Sequence, residues 1–403
     1  MKRILYVHHG VGLGGAPLSL LYLVKNLDRE KYEPHVLFMQ NSEAVQMFKD
    51  HGITVHGPIN RAPFSHSVIC WFKWYHPHRQ LRAWRDSIKI WRTDAELWLN
   101  KIQPDLVHLN SSAAVWFGLM AKRMEIPVVC HVREPLARGY LGVRKNFLTR
   151  AVGRCATKIV PVCRNDSRPW RKSPKVEVIY NAASPEKFKP VEVSKSFLEK
   201  HRLKPSDPKI LYVGGLSMEK GALHILRVFK RIVMRKPQVK LLLAGYWDFE
   251  VLRGSGFKGF LRRNLAAGRH AKKVQKLLFE LVGSLRILGP VHNMPEVMSV
   301  SDVLVFPAQV GHFARPVIEA GFVGKPVVAS KLPPLDELVI DKKTGFLVNP
   351  RNEVAWCEKL CNLLGNRELR ERMGAAGLQQ SMERFSLSAQ ALKIDALYER
   401  ILG

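Results

Sequence analysis

His312-Phe-Ala-Arg-Pro-Val-Ile-Glu319-Ala-Gly-Phe-Val-Gly-Lys-Pro-Val-Val-Ala-Ser330 begins just after the apolar run Val303–Phe306 and ends in a second apolar run. The chain must leave one buried strand, turn tightly, make a short helix and return as the next strand. That is a βαβ unit, and it implies parallel pairing. Glu319 falls on the short helix and is expected near the top of the sheet. A carboxylate there can accept both hydroxyls of a ribose, while amides of the turn at 313–317 face phosphates. A solvent-facing helix glutamate fits the same spacing.

The same grammar extends outward in both directions. Short apolar runs at 210–213, 240–243, 285–288, 303–306, 327–329 and 346–348 alternate with helical stretches. Upstream, runs at 4–7, 35–39, 53–56, 106–109, 128–132, 158–162 and 176–179 do likewise. Between the two series the pattern breaks at 184–208, which carries Pro185, Pro190, Pro205 and Pro208 and reads as a linker. The expected organisation is α/β: a doubly wound unit at 1–183, the linker, a second doubly wound unit at 209–385 and a closing helix at 386–403. Leu387, Ala391, Ile394, Tyr398 and Ile401 give that last helix its apolar stripe, which suits packing on either unit. At 403 residues the chain has the length for two such domains, and two domains imply a cleft.

Two glycine loops sit where a strand gives way to a helix. Gly10-Val-Gly-Leu-Gly-Gly15 lets backbone amides approach an anion at a helix start. It lacks the spacing of the dinucleotide fingerprint, and no suitably placed acid follows about twenty residues on, which argues against a nicotinamide oxidoreductase. Val213-Gly-Gly-Leu-Ser-Met-Glu-Lys-Gly221 repeats the device and adds the charge of Lys220, which suits a diphosphate. No Asp-x-Asp pair for a metal-held diphosphate is present, and no metal site is expected.

In the second half the ordered motifs resemble the retaining glycosyltransferases of family 4, the glycosyl transferases group 1 family, whose fold is GT-B. They are the Gly214-Gly-Leu-x-x-x-Lys220-Gly loop, Leu242-Leu-Ala-Gly245, Ile287-Leu-Gly289-Pro-Val-His-Asn-Met-Pro295 and Ser301-Asp302-Val-x-Val-Phe-Pro307. Arg315-Pro-Val-Ile-Glu319-Ala, Gly324-Lys-Pro-Val-Val-Ala-Ser330 and Thr344-Gly-Phe-Leu-Val348 complete the series. In the first half the likeness rests on Gly14-Gly15-Ala16 and His131. The resemblance implies two Rossmann-like domains facing across a cleft. It implies transfer of a hexose, with retention, from a nucleoside diphosphate sugar such as a UDP- or GDP-hexose. The acceptor would be a carbohydrate or lipid-linked hydroxyl, in cell-envelope or surface polysaccharide synthesis.

Carried over by position, Lys220 would hold the donor diphosphate, Glu319 the ribose, and His131 would stand near the transferred sugar as the third catalytic residue. Gly14, Gly15, Gly215, Gly289, His312, Phe313, Ala314, Arg315, Pro316 and Val317 would complete the donor site. His131, Arg133 and Glu134 would face the acceptor, although a lone histidine after a strand also suits a core hydrogen bond, and Arg133 with Glu134 a surface ion pair. Two departures stand out: Gly215 replaces the family's arginine, and Gly311 its first glutamate. His312 is the expected substitute at the donor sugar, and an inactive donor-binding homologue is the alternative.

The net charge of +30 calls for an anionic partner. Between Arg133 and Lys172 there are eleven Lys/Arg and two acids, and between Arg253 and Lys276 eight and none. A basic nucleic-acid-binding protein on Rossmann-like domains is the competing reading. It leaves the ordered motifs unexplained, and no nucleic acid partner is expected. Trp74, Leu81, Trp84, Ile88 and Trp91 fall at helical spacing beside Arg82, Arg85, Lys89 and Arg92, a pattern suited to an anionic membrane surface or to tryptophans packed inward with a basic edge. The stretch 257–273 is a second such candidate. The first residues, ending in His8-His9-Gly10, read as a strand and not a signal peptide or membrane span. Six scattered cysteines point to a reduced, cytoplasmic location, and the basic helix extends that expectation to the inner face of the cytoplasmic membrane.

Overall fold

The computed structural model describes residues 1–10, 12, 15–64, 77–136, 138–253 and 264–403. It divides into two compact units, Met1–Ala183 with Phe385–Gly403, and Ser184–Arg384.

The first unit holds strands β1 (Lys2–His8), β2 (Tyr32–Phe38), β3 (Thr54–His56), β4 (Leu106–Leu109), β5 (Val128–Val132) and β6 (Lys158–Pro161). They form one parallel sheet in the order β3-β2-β1-β4-β5-β6. Strands this apolar form because helices cover both faces, so residues of the inner strands β4 and β5 are buried whichever way they point. Leu5, Val7, Val107 and Cys130 enter the core on one face; Ile4, Tyr6, Leu106 and Val129 enter the core on the other.

The second face is closed from far along the chain. The helix Leu387–Leu402 contributes Ile394, Leu397 and Tyr398 to that core, with Ser386 capping its first turn by accepting from Ala389 N–H. The stretch 176–179 corrects one expectation. It runs beside β6 through bonds from Glu177 N–H to Ile159 and Ile179 N–H to Pro161, yet makes a single isolated bridge and no seventh strand. Pro161 has no N–H with which to continue a ladder.

The second unit repeats the architecture with β7 (Lys209–Val213), β8 (Lys240–Ala244), β9 (Leu285–Gly289), β10 (Val303–Phe306), β11 (Val327–Ser330) and β12 (Gly345–Val348), ordered β12-β11-β10-β7-β8-β9. Its strand order is that of the first sheet read from the other edge. The polypeptide between the two strand series packs on this unit: Val191 N–H bonds Ser299 Oγ, and the short helix Lys195–Lys200 is capped by Ser194.

The basic helix of the first unit spans Pro77–Lys89. Leu81, Trp84 and Ile88 lie exposed on it, at 73%, 65% and 45%, with Arg82, Arg85 and Lys89 exposed among them. The expected stripe does not continue to Trp91, because the wide turn Ile90–Asp94 rotates the chain. Trp91 instead packs against the core near Trp116, while Arg92 stays exposed. Trp74 and the basic residues 257–263 lie outside the described residues, and Arg269 to Lys273 ride the helix Ala266–Glu280.

Because Leu397 is fully buried against β1 and β2 neighbours, Leu397→Ala is expected to cost about 2–5 kcal/mol, read as a lowered urea midpoint for the first unit.

Candidate functional site

In both sheets the strand order reverses between two adjacent strands, β1 and β4 in the first, β7 and β10 in the second. Chain segments leaving those strands diverge to opposite faces, which opens a crevice at the carboxyl ends of the strands.

In the second unit the loops after β7 and β10 meet there. The carbonyl of Glu219 accepts from Gln309 N–H (2.7 Å) and Val310 N–H, tying one loop to the other. Lys220 N–H bonds Ser217 Oγ, and Gly221 starts the helix Ala222–Arg235 in a left-handed conformation. Burial pushes the Lys220 ammonium below its usual range, opposed by Glu219. Among the described residues Lys220 makes no side-chain ion pair. After β10 the chain runs through Gly311 to the helix Arg315–Phe322. Glu319 is buried on it, 3.3 Å from the Arg315 guanidinium. Burial pushes its carboxyl up, while Arg315 and Lys187, from the segment that follows the first unit, pull it down. His312 donates from Nδ1 to the Val310 carbonyl and leans on Phe306.

Of the five residues at 313–317 offered for phosphate amides, two drop out: Pro316 has no N–H, and Val317 N–H is used by the Ala314 carbonyl. Phe313 is half-buried and Ala314 buried at the helix start, and Gly289 ends β9 with positive φ. Gly15 opens the helix Gly15–Lys25; Gly14 lies outside the described residues. A cavity of about 500 Å³ lies against the same two loops, walled by Met218, Glu219, His224, His270, Gln309 and Arg351; neither Lys220 nor Glu319 lines it.

Glycine at the two positions where the resemblance implied an arginine and a glutamate has a backbone cause. Gly215 has φ +60°, and a Cβ there would run into the backbone of Tyr246; a Cβ on Gly311 would run into the Pro333 carbonyl. An arginine or glutamate at these places has no room on this backbone.

In the first unit the residues at the strand ends form a buried polar layer. His131 is fully buried at the end of β5, and its Nδ1 lies 3.2 Å from His108 Nε2. His108 Nδ1 meets Tyr398 Oη at 2.5 Å, and Tyr398 Oη meets Tyr6 Oη at 3.0 Å. Arg133 is 7% exposed and donates from Nε to Asn110 Oδ1 (2.7 Å) and from Nη1 to Asn181 Oδ1, so it is no surface ion pair. Asn110 Nδ2 contacts His8 Nδ1 at 2.9 Å. Glu134 is half-buried beside Arg133. His8, His108, Asn110, Asn181 and Tyr6 were not singled out as site residues in the sequence, and Tyr398 was read only as part of an apolar stripe. The available signal was a histidine set inside otherwise apolar runs, as in Leu106-Val-His108-Leu109.

Paired doubly wound sheets of this order are the architecture of the GT-B glycosyltransferases. Anabaena HepE in complex with UDP and glucose superposes with a TM-score of 0.75 at 19% identity, covering 99% of this chain and 100% of that one. Sucrose-phosphate synthase from Thermosynechococcus elongatus gives 0.75 at 18%, covering 100% and 99%. In sequence, residues 193–380 match the family described as Glycosyl transferases group 1, and residues 13–187 match Glycosyltransferase Family 4. The chain belongs to the group 1 glycosyltransferases. It is similar to the capsular polysaccharide biosynthesis glycosyltransferase CapM of Staphylococcus aureus, 22% identical over 76% of this chain and 79% of that protein. It is also similar to the phosphatidyl-myo-inositol mannosyltransferase of Mycobacterium tuberculosis, 31% identical over 46% of this chain and 44% of that protein.

Burial, reinforced by the charge of Arg133, lowers His8 and His108 to about 3 and His131 well below 6.5. All three stay neutral in the fold while their unfolded counterparts protonate near pH 6.5. Stability is therefore full above that pH and is lost as pH falls toward 3. Each histidine contributes a slope of up to about 1.4 kcal/mol per pH unit. Urea denaturation at pH 7 and pH 5.5 is expected to differ by about 3–4 kcal/mol from these three groups, and replacing one of them is expected to flatten the slope.

Proposed function

We propose that the chain transfers a hexose from a nucleoside diphosphate sugar to a carbohydrate or lipid-linked hydroxyl, with retention of configuration, in the assembly of a cell-envelope or surface polysaccharide. The observation that carries this reading is the junction of the two loops at the switch point of the second sheet. There Lys220 and the Arg315–Glu319 pair stand at the carboxyl ends of β7 and β10. HepE has been crystallised with UDP-glucose, and CapM acts in capsular polysaccharide biosynthesis; both support the assignment.

On this reading Lys220 neutralises the departing diphosphate, and its partial burial strengthens the attraction because less water screens it. Arg315 holds Glu319 in one rotamer, leaving its second oxygen for the ribose hydroxyls. No metal enters this scheme, since Lys220 and backbone N–H groups meet the leaving-group charge. With Gly215 in place of arginine, a single side-chain cation of the loop carries that duty. His312, held at the Val310 carbonyl and against Phe306, stands beside Gly311 as the candidate contact to the donor sugar.

We further propose that the Pro77–Lys89 helix rests on anionic lipid at the cytoplasmic face. Three large apolar side chains point outward between cations, which a free aqueous surface does not favour. Among the described residues no helix is long and apolar enough to cross a membrane.

Lys220→Ala is expected to weaken UDP or GDP binding by about 10–100-fold, the worth of a charged hydrogen bond, and Glu319→Ala to do the same through the ribose. Unchanged calorimetric affinity for both nucleotides would reject the site. Replacing Arg82, Arg85, Lys89 and Arg92 by Ser is expected to lower partitioning onto phosphatidylserine vesicles more than tenfold, at roughly 1 kcal/mol per charge. Equal co-sedimentation of variant and parent removes the lipid assignment.

A further inference from the structure

The cavity of about 500 Å³ beside the loops after β7 and β10 is walled by neither Lys220 nor Glu319, and its wall is chemically divided. Two helices begin in it. The helix Ala222–Arg235 brings Leu223 and His224 from its first turn, and the helix Glu353–Gly365 brings Glu353 as its first residue, with Arg351 just before it. At 14 and 13 residues both are long enough for their amino ends to carry an appreciable positive partial charge.

The donors at these ends are open. Ala222 N–H bonds the Ser217 carbonyl and Ile225 N–H the Gly221 carbonyl, but among the described residues Leu223 N–H and His224 N–H, between them, bond nothing. At the second helix Asn352 Oδ1 accepts from Ala355 N–H and leaves Glu353 N–H open. The Glu353 carboxylate is already neutralised, by Arg227 at 3.8 Å and Arg231 at 3.3 Å. Arg351 is exposed and, among the described residues, makes no ion pair. A second cavity of about 460 Å³ shares Gln309, Pro350 and Arg351 with the first and adds Lys331. This side of the wall suits an oxyanion.

The other side accepts. His270, on the helix Ala266–Glu280, is 8% exposed, and its Nε2 is buried without a hydrogen-bond partner. The Leu216 carbonyl favours a ring proton facing it, and with Nε2 unpartnered that proton sits on Nδ1. Nε2 therefore presents a lone pair. Glu219, whose carboxylate accepts from Ser217 Oγ at 3.0 Å, stands near enough to act on the ring electrostatically. Neighbouring acceptors repel a bare anion and take hydroxyl protons. A buried acceptor left unmet costs about 1–3 kcal/mol, which a ligand hydroxyl would remove.

We propose that this cavity is a second ligand site, separate from the one assigned to the nucleotide, for a small phosphomonoester that carries hydroxyl groups, of the sugar-phosphate class. The phosphate takes the N–H groups of Leu223, His224 and Glu353 and the Arg351 guanidinium, while a hydroxyl donates to His270 Nε2. A free sugar lacks the anion and inorganic phosphate lacks the hydroxyls, so neither satisfies both sides. Only the separateness of the site leans on the donor reading above; the ligand class follows from the wall.

The test is calorimetry of the full-length protein with inorganic phosphate, glucose and glucose 6-phosphate, each with and without saturating UDP. Glucose 6-phosphate is expected to bind about tenfold more tightly than phosphate, the worth of one added hydrogen bond to a buried acceptor, and glucose not to bind measurably. UDP is expected to displace neither anion. Arg351→Ala, at an exposed position, is expected to weaken phosphate and glucose 6-phosphate alike by about tenfold, as loss of a charge-assisted hydrogen bond does. His270→Phe is expected to keep the phosphate affinity and abolish the advantage of the sugar phosphate. In ¹⁵N NMR at pH 7 the parent's His270 is expected as the Nδ1–H tautomer, with its Nε2 signal moving when glucose 6-phosphate binds. Displacement by UDP puts the ligand in the nucleotide site and overturns the proposal. So does an affinity unchanged in Arg351→Ala, or a His270 ring protonated on Nε2. Should UDP itself fail to bind, the donor reading falls, and the Arg351 and His270 results still decide this one.

Discussion

A parallel sheet covered by helices on both faces leaves a side chain no water except at the strand ends. Every polar group placed on such strands must either find a partner inside or emerge at an edge, because an unmet buried donor costs about 1–3 kcal/mol. In the first unit Tyr6 and His108 lie too deep to emerge, and their partner comes from a helix almost four hundred residues along the chain. The upper row, His8, Asn110 and His131, lies at the carboxyl edge, where the sheet order reverses. The second unit obeys the same rule differently: its strands are almost wholly apolar, and its ionisable groups are displaced into the loops after β7 and β10.

Those loops are fixed by backbone meeting backbone. Gly215 lies against Tyr246 and Gly311 against the Pro333 carbonyl, so the two positions where the resemblance implied charged side chains are closed by the path of the main chain. Glycine at both positions thus follows from how tightly the loops pack. On the function proposed above, Lys220 and the Arg315–Glu319 pair are then the charged groups left to meet the donor.

Much of this was legible in the chain. Apolar runs of four to seven residues separated by helical stretches gave two doubly wound sheets, because hydrophobic periodicity is a local property. The glycine loops and the Arg315-to-Glu319 spacing located the second-unit loops for the same reason. The polar layer was not legible. Tyr6, His108 and Tyr398 each look like an ordinary core residue, and their relation exists only once β1, β4 and the last helix are brought together. Trp91 was misread because a wide turn at Ile90–Asp94 breaks the helical period that the stripe assumed.

The way residues 385–403 complete the first unit bears on biosynthesis. A ribosome that has released residues 1–183 has made all six strands of the first sheet, yet one face of that sheet still lacks Ile394, Leu397 and Tyr398. The second unit, contiguous from 184 to 384, has every residue it needs before the first can close. The usual amino-to-carboxyl order of domain maturation is therefore inverted: the half synthesised first is sealed last, and until then its tyrosine and histidine rings wait on an uncovered surface.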